Sequence, residues 1–573
     1  MSQNSWDMET DLLVAGAGPG GMTAALVAAT EGLEVIVCEK AEQAGGTGAT
    51  SAGTLWIPGN RQSRDAGFDD SPEDAAKYLD SLIGDDRTSA HRRAYLHDGP
   101  DVIDYLMEKT DVQFMPCGPH PDYRNNVAGA ALSGRAIIAR NFDGRVLGRD
   151  FARVRPPIPE FMVFGGMMVG KIDITKLLGR FQSVGNFVFS AGLLLRYMTD
   201  RLRFRRGTRL TMGNALVARL FYSLKKRDVP VLFGAPIGEF IRDGEVVIGA
   251  VIETSDGPKR IRARKGVVLA TGGFAHNPKY REAFMPSAVP VYSLAADGNT
   301  GDGMALAEAA NAAIDSESHQ SSGFWTPVSV TKRADGSTGL FPHLVMDRAK
   351  PGLVAVNAAG RRFVNEGASY HDFVEAMYRS HETVNTMPAW LVCETAFIRK
   401  YGLGVIYPAT RNLSTHIKSG YVTVADNLEE LAAGIGVDAA GLADTVARHN
   451  RFAVDGTDED FGKGDLELNR FNGDPAHTPN PCLAPIETPP FAAMAVWPAE
   501  IGCSVGIATN PACQVLNAES QPIPGLYACG NDMGSVMSGA YPGPGTTLGP
   551  AIVFGWRTAM HAAGRLSSQE EAL

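Results

Sequence analysis

Two groups of residues in this chain have the types and spacing to do chemistry. The first is Gly16-Ala17-Gly18-Pro19-Gly20-Gly21, a GxGxxG, with the acid Glu39 following. Gly16 allows a tight turn, Gly18 lets the backbone approach a pyrophosphate, and Gly21 lets a helix pack on a strand. The helix N-terminus then faces the phosphates. Glu39 can accept both hydroxyls of a ribose, which disfavours a 2′-phosphate. The second group is Tyr541-Pro542-Gly543-Pro544-Gly545, a phenol on a stiff turn directly before a helix. A linker has no need of the tyrosine, and a collagen-like tract would repeat the glycines. Because proline has no N–H, Gly543 and Gly545 are the only backbone donors between Tyr541 and that helix. Donors fixed in this way need not reorganise toward a developing negative charge.

The elements that would position the first group are legible around it. Asp11 to Ala15 reads as a short buried strand, an alanine-rich helix runs to about Glu31, and a second strand ends at Glu39. A bare glycine turn would satisfy the spacing alone; the strand, helix and acid make it a dinucleotide fingerprint, without separating NAD from FAD. Three later stretches bear on that choice: "AGGTGATSAGTLWIPGN" (Ala44 to Asn60), "GVVLATGGF" (Gly266 to Phe274) and "GLYACGND" (Gly525 to Asp532). In order and spacing they resemble the flavin loop, the returning strand and the closing motif of the fumarate reductase and 3-ketosteroid dehydrogenase flavoproteins.

That resemblance implies non-covalent FAD. It assigns to the cofactor Gly16, Gly18, Gly20, Gly21, Glu39, Lys40, Gly45, Gly46, Thr47, Ser51, Gly53, Ala270, Thr271, Gly272, Gly530, Asn531, Gly545 and Leu548. The helix after Gly545 would turn its positive end toward the flavin. The implied fold is α/β: a discontinuous Rossmann-type FAD-binding domain, 1–285 and 501–573, with an inserted α+β catalytic (capping) domain at 286–500. In the latter, Asn299 to Ala312 reads as a helix capped by Asp302, and Leu353 to Glu366 as a hairpin about residues 357–360.

A fumarate reductase would need cations for a dicarboxylate and an arginine to deliver a proton. Here "GASYHDF" (Gly367 to Phe373) places Tyr370 where that arginine would lie, and "AYPGPGTTLG" replaces the C-terminal histidine and arginine motif. The chain instead resembles the 1(2)-dehydrogenating branch of the 3-ketosteroid dehydrogenases. Its phenols there are Tyr541 in Tyr-Pro-Gly-Pro-Gly, Tyr370, and Tyr123 in "PDY". A single tyrosine is ordinarily a packing residue; three in motif context are not. Desaturation next to a ketone needs an enolate stabiliser, a base at Cα and a hydride acceptor at Cβ. The resemblance makes flavin N5 the acceptor. By the same resemblance the Tyr541 hydroxyl and Gly545 N–H would form the oxyanion hole. Tyr370 would be the base, with its phenolate favoured by Tyr123 and a helix N-terminus. A smaller cyclic ketone such as a cyclohexanone would use the same residues, and 4-dehydrogenation of a 3-ketosteroid would need the base re-aimed. A non-catalytic lipid-binding protein on the same fold would have no use for the phenols. Where the family has Gly-Thr-Lys-Gly-Gly, this chain has Gly502-Cys503-Ser504-Val505-Gly506.

Bulk properties agree with an enzyme of this kind. The chain has 573 residues, enough for two domains with cores of their own, and its net charge of −10 argues against nucleic acid as a partner. Seven scattered cysteines without a CxxC suggest a reduced, cytoplasmic protein with no metal site, and the N-terminal stretch lacks the pattern of a secretion signal. A helical, basic insertion is expected at about 155–230. Within it "VGNFVFSAGLLL" (Val184 to Leu195) precedes ten Lys/Arg and one acid in Arg196 to Arg227. The apolar run is too short to span a bilayer. Either 184–227 is a peripheral membrane contact or it is a packed helical excursion with a solvated basic face. The expected partners are therefore a small apolar ketone, an electron acceptor that the residues do not identify, and this candidate membrane surface.

Overall fold

The computed structural model describes residues 5–84, 88–317, 319–345 and 347–566. The outermost residues of the expected division, 1–4 and 567–573, lie outside them.

The nucleotide fingerprint is built as its composition requires. Strand β1 (Met8–Ala15) ends in Leu12, Leu13, Val14 and Ala15, all buried, because it lies between parallel neighbours on both sides. It passes through Gly16 into helix α1 (Pro19–Thr30), and β2 (Val35–Glu39) returns beside β1 with Ala15 opposite Cys38. On the other side β1 pairs with β3 (Gly257–Leu269). The last residues of β3 also take the Pro522–Ala528 strand as a parallel partner, so both ends of the chain enter one eight-stranded sheet. The C-terminal helix, Leu548–Ala562, crosses α1 at glycines: a Cβ on Gly555 would stand 2.6 Å from the Gly20 carbonyl oxygen.

The second large sheet is antiparallel along its main path. It is built on β4 (Gly323–Lys332), β5 (Thr338–Pro342), β6 (Leu353–Val356), β7 (Ala389–Glu394) and β8 (Phe491–Cys503), in the order β5-β4-β8-β7-β6. Strand β8 runs 13 residues and ends at Cys503, where the chain turns back toward the first sheet. The stretch after β6 is a turn in which a single bridge, Val356 to Arg362, replaces the expected hairpin, because β6 takes β7 as its antiparallel partner. The helix of the 299–312 stretch spans Asp302–Ala309. Its N-cap is Gly301 in the left-handed region and not Asp302, whose carboxylate is held by Lys40 and Thr300.

The 155–230 region is only partly the helical excursion expected. Two short strands, Met162–Val163 and Met167–Met168, lead to α2 (Lys171–Leu178) and α3 (Val184–Asp200), which stand on the surface. Helix α4 (Met212–Lys225) belongs to the core, with Leu216, Val217, Leu220 and Leu224 buried against the first sheet's layer. The basic residues at its end are engaged: Lys226 pairs with Asp111, Lys225 with Asp150, and Arg227 donates to the Lys109 carbonyl. Among the described residues no helix is long and apolar enough to cross a membrane.

Candidate active site

A single cavity of about 730 Å³ runs from the glycine-rich turn after β1 to the three phenols. Gly16 has φ +110°, and a Cβ there would stand 2.2 Å from the Ala270 carbonyl oxygen; only glycine fits the turn. Helix α1 begins at Gly18 with no side-chain cap, so its first-turn N–H groups face the cavity as an anion site. Glu39 Oε2 accepts the Ala17 N–H at 2.7 Å and Oε1 the Ala41 N–H at 2.8 Å, while burial pushes the carboxyl above its ordinary value. Gly18, Gly46 and Gly530 all line the cavity and have open space where a Cβ would stand. This bare backbone beside an uncapped helix N-terminus is a cradle that side chains would fill, and it fits FAD. Asp532, buried, accepts from Thr271 N–H, Thr271 Oγ1 and Gly273 N–H and so locks the two returning turns together.

At the other end three hydroxyls form a chain. Tyr123 donates to Tyr370 at 3.1 Å, and Tyr370 donates to Tyr541 at 2.9 Å. The Tyr123 and Tyr541 rings stack at 5.6 Å, and Tyr370 stands edge-on to both. Phe324, Leu468, Leu344 and Ile501 complete the cluster. Each phenol is carried by a different support. Tyr370 opens α5 (Tyr370–His381), whose N-cap Ser369 accepts the Asp372 N–H at 3.0 Å. Asp372 in turn grips Arg124, the neighbour of Tyr123, at 2.7 Å. Tyr123 sits after Asp122, a buried carboxylate bonded to Arg135, the Trp56 indole N–H and the Ala131 N–H. Burial raises Asp122 to about 6 against the pull of Arg135. Tyr541 is fixed through the next residue, because the Pro542 carbonyl accepts both the Tyr123 N–H and the Tyr78 hydroxyl at 2.9 Å. Gly545, φ +99°, lies against Thr54, and among the described residues its N–H has no acceptor.

The electrostatics differ from the expectation in one respect. Burial pushes all three phenols well above their ordinary value. A positive charge opposes this at Tyr123 and Tyr370. Arg348, fully buried and pushed down to about 10 by that burial, donates to the carbonyls of His343, Leu344, Glu366 and Ala368. It thereby ties the loop before Tyr370 to the cavity wall at Leu344, and its charge favours ionisation of Tyr370. One turn away, Glu366 is chelated by Arg362 and lies 3.6 Å from Lys463. Burial alone would raise its carboxyl, but these cations hold it down to about 2.

All the residues expected at the site line the cavity except Gly45, which packs under it; a Cβ there would meet Ala49 and Val217 at 2.8 Å. Lys40 lines the cavity while paired with Asp302. Cys503 is a buried residue beside the site: its sulfur accepts the Phe274 N–H, and burial pushes its thiol up to about 12, so it is no thiolate. Sequence reasoning missed Arg155 and Asn299. Arg155 lines the cavity near Glu39 and Asp297, and Asn299 donates to Thr47 Oγ1 and the Gly272 carbonyl. Asn299 stood in a stretch read only as a helix start. No local pattern marks Arg155.

Residues 11–548 match the family described as FAD binding domain. The chain is 39% identical to a 4-oxocyclohex-2-ene-1-carboxylate 5-dehydrogenase of Sinomonas cyclohexanicum, over 98% of this chain and 95% of that one. It is 32% identical to a 3-oxosteroid 1-dehydrogenase of Mycolicibacterium smegmatis, over 98% and 99%. Its fold superposes with TM-score 0.89 on a 3-ketosteroid delta1-dehydrogenase from Sterolibacterium denitrificans in complex with 1,4-androstadiene-3,17-dione, at 34% identity, covering 97% of this chain and 100% of that one.

Proposed function

The chain belongs to the FAD-binding-domain family, among its flavin-dependent dehydrogenases of cyclic ketones, and from that premise we propose that it introduces a 1(2) double bond into a neutral, apolar 3-keto ring system of steroid type. The observation that carries the reading is the chain of three buried hydroxyls closing a cavity whose other end is a dinucleotide cradle. Bound FAD supplies the acceptor for the hydride that leaves the β-carbon. The Tyr541 hydroxyl and the Gly545 N–H hold the ketone oxygen and stabilise the enolate charge. Tyr370 takes the α-proton, with Tyr123 donating to it once it is ionised and Arg348 offsetting the cost of that charge. The domain division at about 285 and 500 belongs to the same reading, since the phenols come from segments on both sides of it.

The walls support an uncharged substrate. Ile158, Phe161, Pro342, Leu344, Val345 and Ile501 line the cavity. The lining cations belong to the nucleotide end: Lys40 pairs with Asp302, Arg153 with Glu42, and Arg155 lies near Glu39. A smaller oxocyclohexene carboxylate is the second reading, favoured by the 39% identical relative and by His120, an imidazole that lines the cavity beside Tyr123. Anaerobic titration of the holoprotein with each ketone, followed at the visible flavin band, separates them. Bleaching by a 4-ene-3-ketosteroid and not by the carboxylate is expected; the opposite pattern assigns the smaller ring, and no bleaching by either overturns the desaturase reading.

A further inference from the structure

Helix α3 is amphipathic with its apolar stripe on the outside. Ser190, Leu193, Tyr197 and Asp200 are its buried positions, with Tyr197 bonded to the Phe164 carbonyl and Asp200 to Thr208. The outward face carries Val184, Phe187, Val188, Leu194, Leu195 and Met198, between 41% and 81% exposed, at helical spacing. Phe164, Phe181 and Leu202 extend the patch at 70%, 79% and 83%. Helices normally turn this stripe to the core, so a contiguous exposed one marks an interaction surface. Its occupant is indicated by charge. From 174 to 205 the only acid, Asp200, is buried, while Arg180, Arg201, Arg203 and Arg205 are exposed around the apolar face.

We infer that this face docks the protein on an anionic lipid surface, with α3 lying in the plane of the headgroups. A helix of 17 residues is about 26 Å long at 1.5 Å per residue, short of a bilayer's hydrocarbon core but sufficient to lie along it. The apolar stripe enters the acyl boundary while the arginines meet lipid phosphates. The contact is narrower than the 184–227 expected from sequence, since Lys225, Lys226 and Arg227 are engaged elsewhere. The segment that carries the patch also lines the cavity at Ile158 and Phe161, three residues before Phe164, so cavity wall and patch belong to one stretch of chain.

The test is flotation of the holoprotein with phosphatidylglycerol-containing vesicles and with pure phosphatidylcholine vesicles. Association with the anionic vesicles is expected, weakened by raising salt to 0.5 M. Replacing Phe187→Asp and Leu195→Asp together should lower partitioning on the order of tenfold or more. Flavin absorbance and far-UV circular dichroism check that this variant is folded. Should it misfold, the lipid and salt dependence of the parent protein decide alone. A parent that stays in solution with every vesicle overturns the inference. So does a parent dimer that ignores vesicles and that the two substitutions split, which would make the patch a self-interface.

Discussion

Replacing Tyr370→Phe removes one oxygen atom and keeps the ring packing. That oxygen is the middle of the relay, 3.1 Å from the Tyr123 hydroxyl and 2.9 Å from that of Tyr541. Its neighbours stay buried and each loses one hydrogen-bond partner, a structural cost of about 1–2 kcal/mol per group. The kinetic cost is larger. A positioned general base contributes roughly 10²–10⁴ in rate, about 3–5 kcal/mol of barrier. The ketone remains clamped by Tyr541 and Gly545, so KM should move only a few-fold while kcat falls by the full factor. The pH profile supplies a sign. Burial raises Tyr370 above its ordinary value, so the base is protonated at neutral pH and the parent rate should climb with pH; the variant should lose that slope. Stopped-flow reduction of the bound flavin by ketone, with and without the substitution, reads all three quantities. A Tyr370→Phe enzyme that keeps its flavin and reduces it within tenfold of the parent rate refutes the base assignment.

Other outcomes follow from the same geometry. Gly545→Ala would set a Cβ 2.4 Å from the Thr54 carbonyl oxygen at φ +99°, displacing the donor; kcat should drop at least about 10² with flavin still bound, as for loss of an oxyanion donor. Gly16→Ala meets the Ala270 carbonyl oxygen at 2.2 Å, so the purified protein should lack the yellow flavin spectrum. Glu366 has a folded pKa of about 2, depressed below its unfolded value near 4.3, so its contribution is present above about pH 4.3 and is lost as pH falls toward 2. Glu366→Gln should remove about 3 kcal/mol at neutral pH and flatten acid unfolding monitored by circular dichroism over that window.

The sequence exposed those parts whose chemistry is local. The turn from β1 into α1 could be read because an apolar run, three glycines and an acid follow one another at a fixed spacing, and the structure has the strand, turn, helix and returning strand there. The phenols were legible through motif context, although their mutual distances were not. What escaped depends on tertiary placement. Arg348 is an ordinary arginine in sequence; only the fold surrounds it with four carbonyls. The apolar run 184–195 reads as a helix, but only the fold turns most of its large apolar side chains outward. Counting charge over 196–227 hides the core helix α4, whose basic residues cluster at its end. Asp302 looked like a cap because the left-handed Gly301 that starts the helix leaves no mark beyond its glycine.

The relay joins residues 247 and then 171 positions apart in the chain, drawn from three distant segments. Closing loops of that length costs entropy that only long-range contacts return. The β1–α1–β2 unit, by contrast, is complete within about thirty residues of its first strand. On refolding from denaturant, secondary structure and local nucleotide-site order therefore precede the meeting of the phenols, and recovery of turnover is the last signal to return. A chain arrested before the three phenols meet would be largely structured and inert.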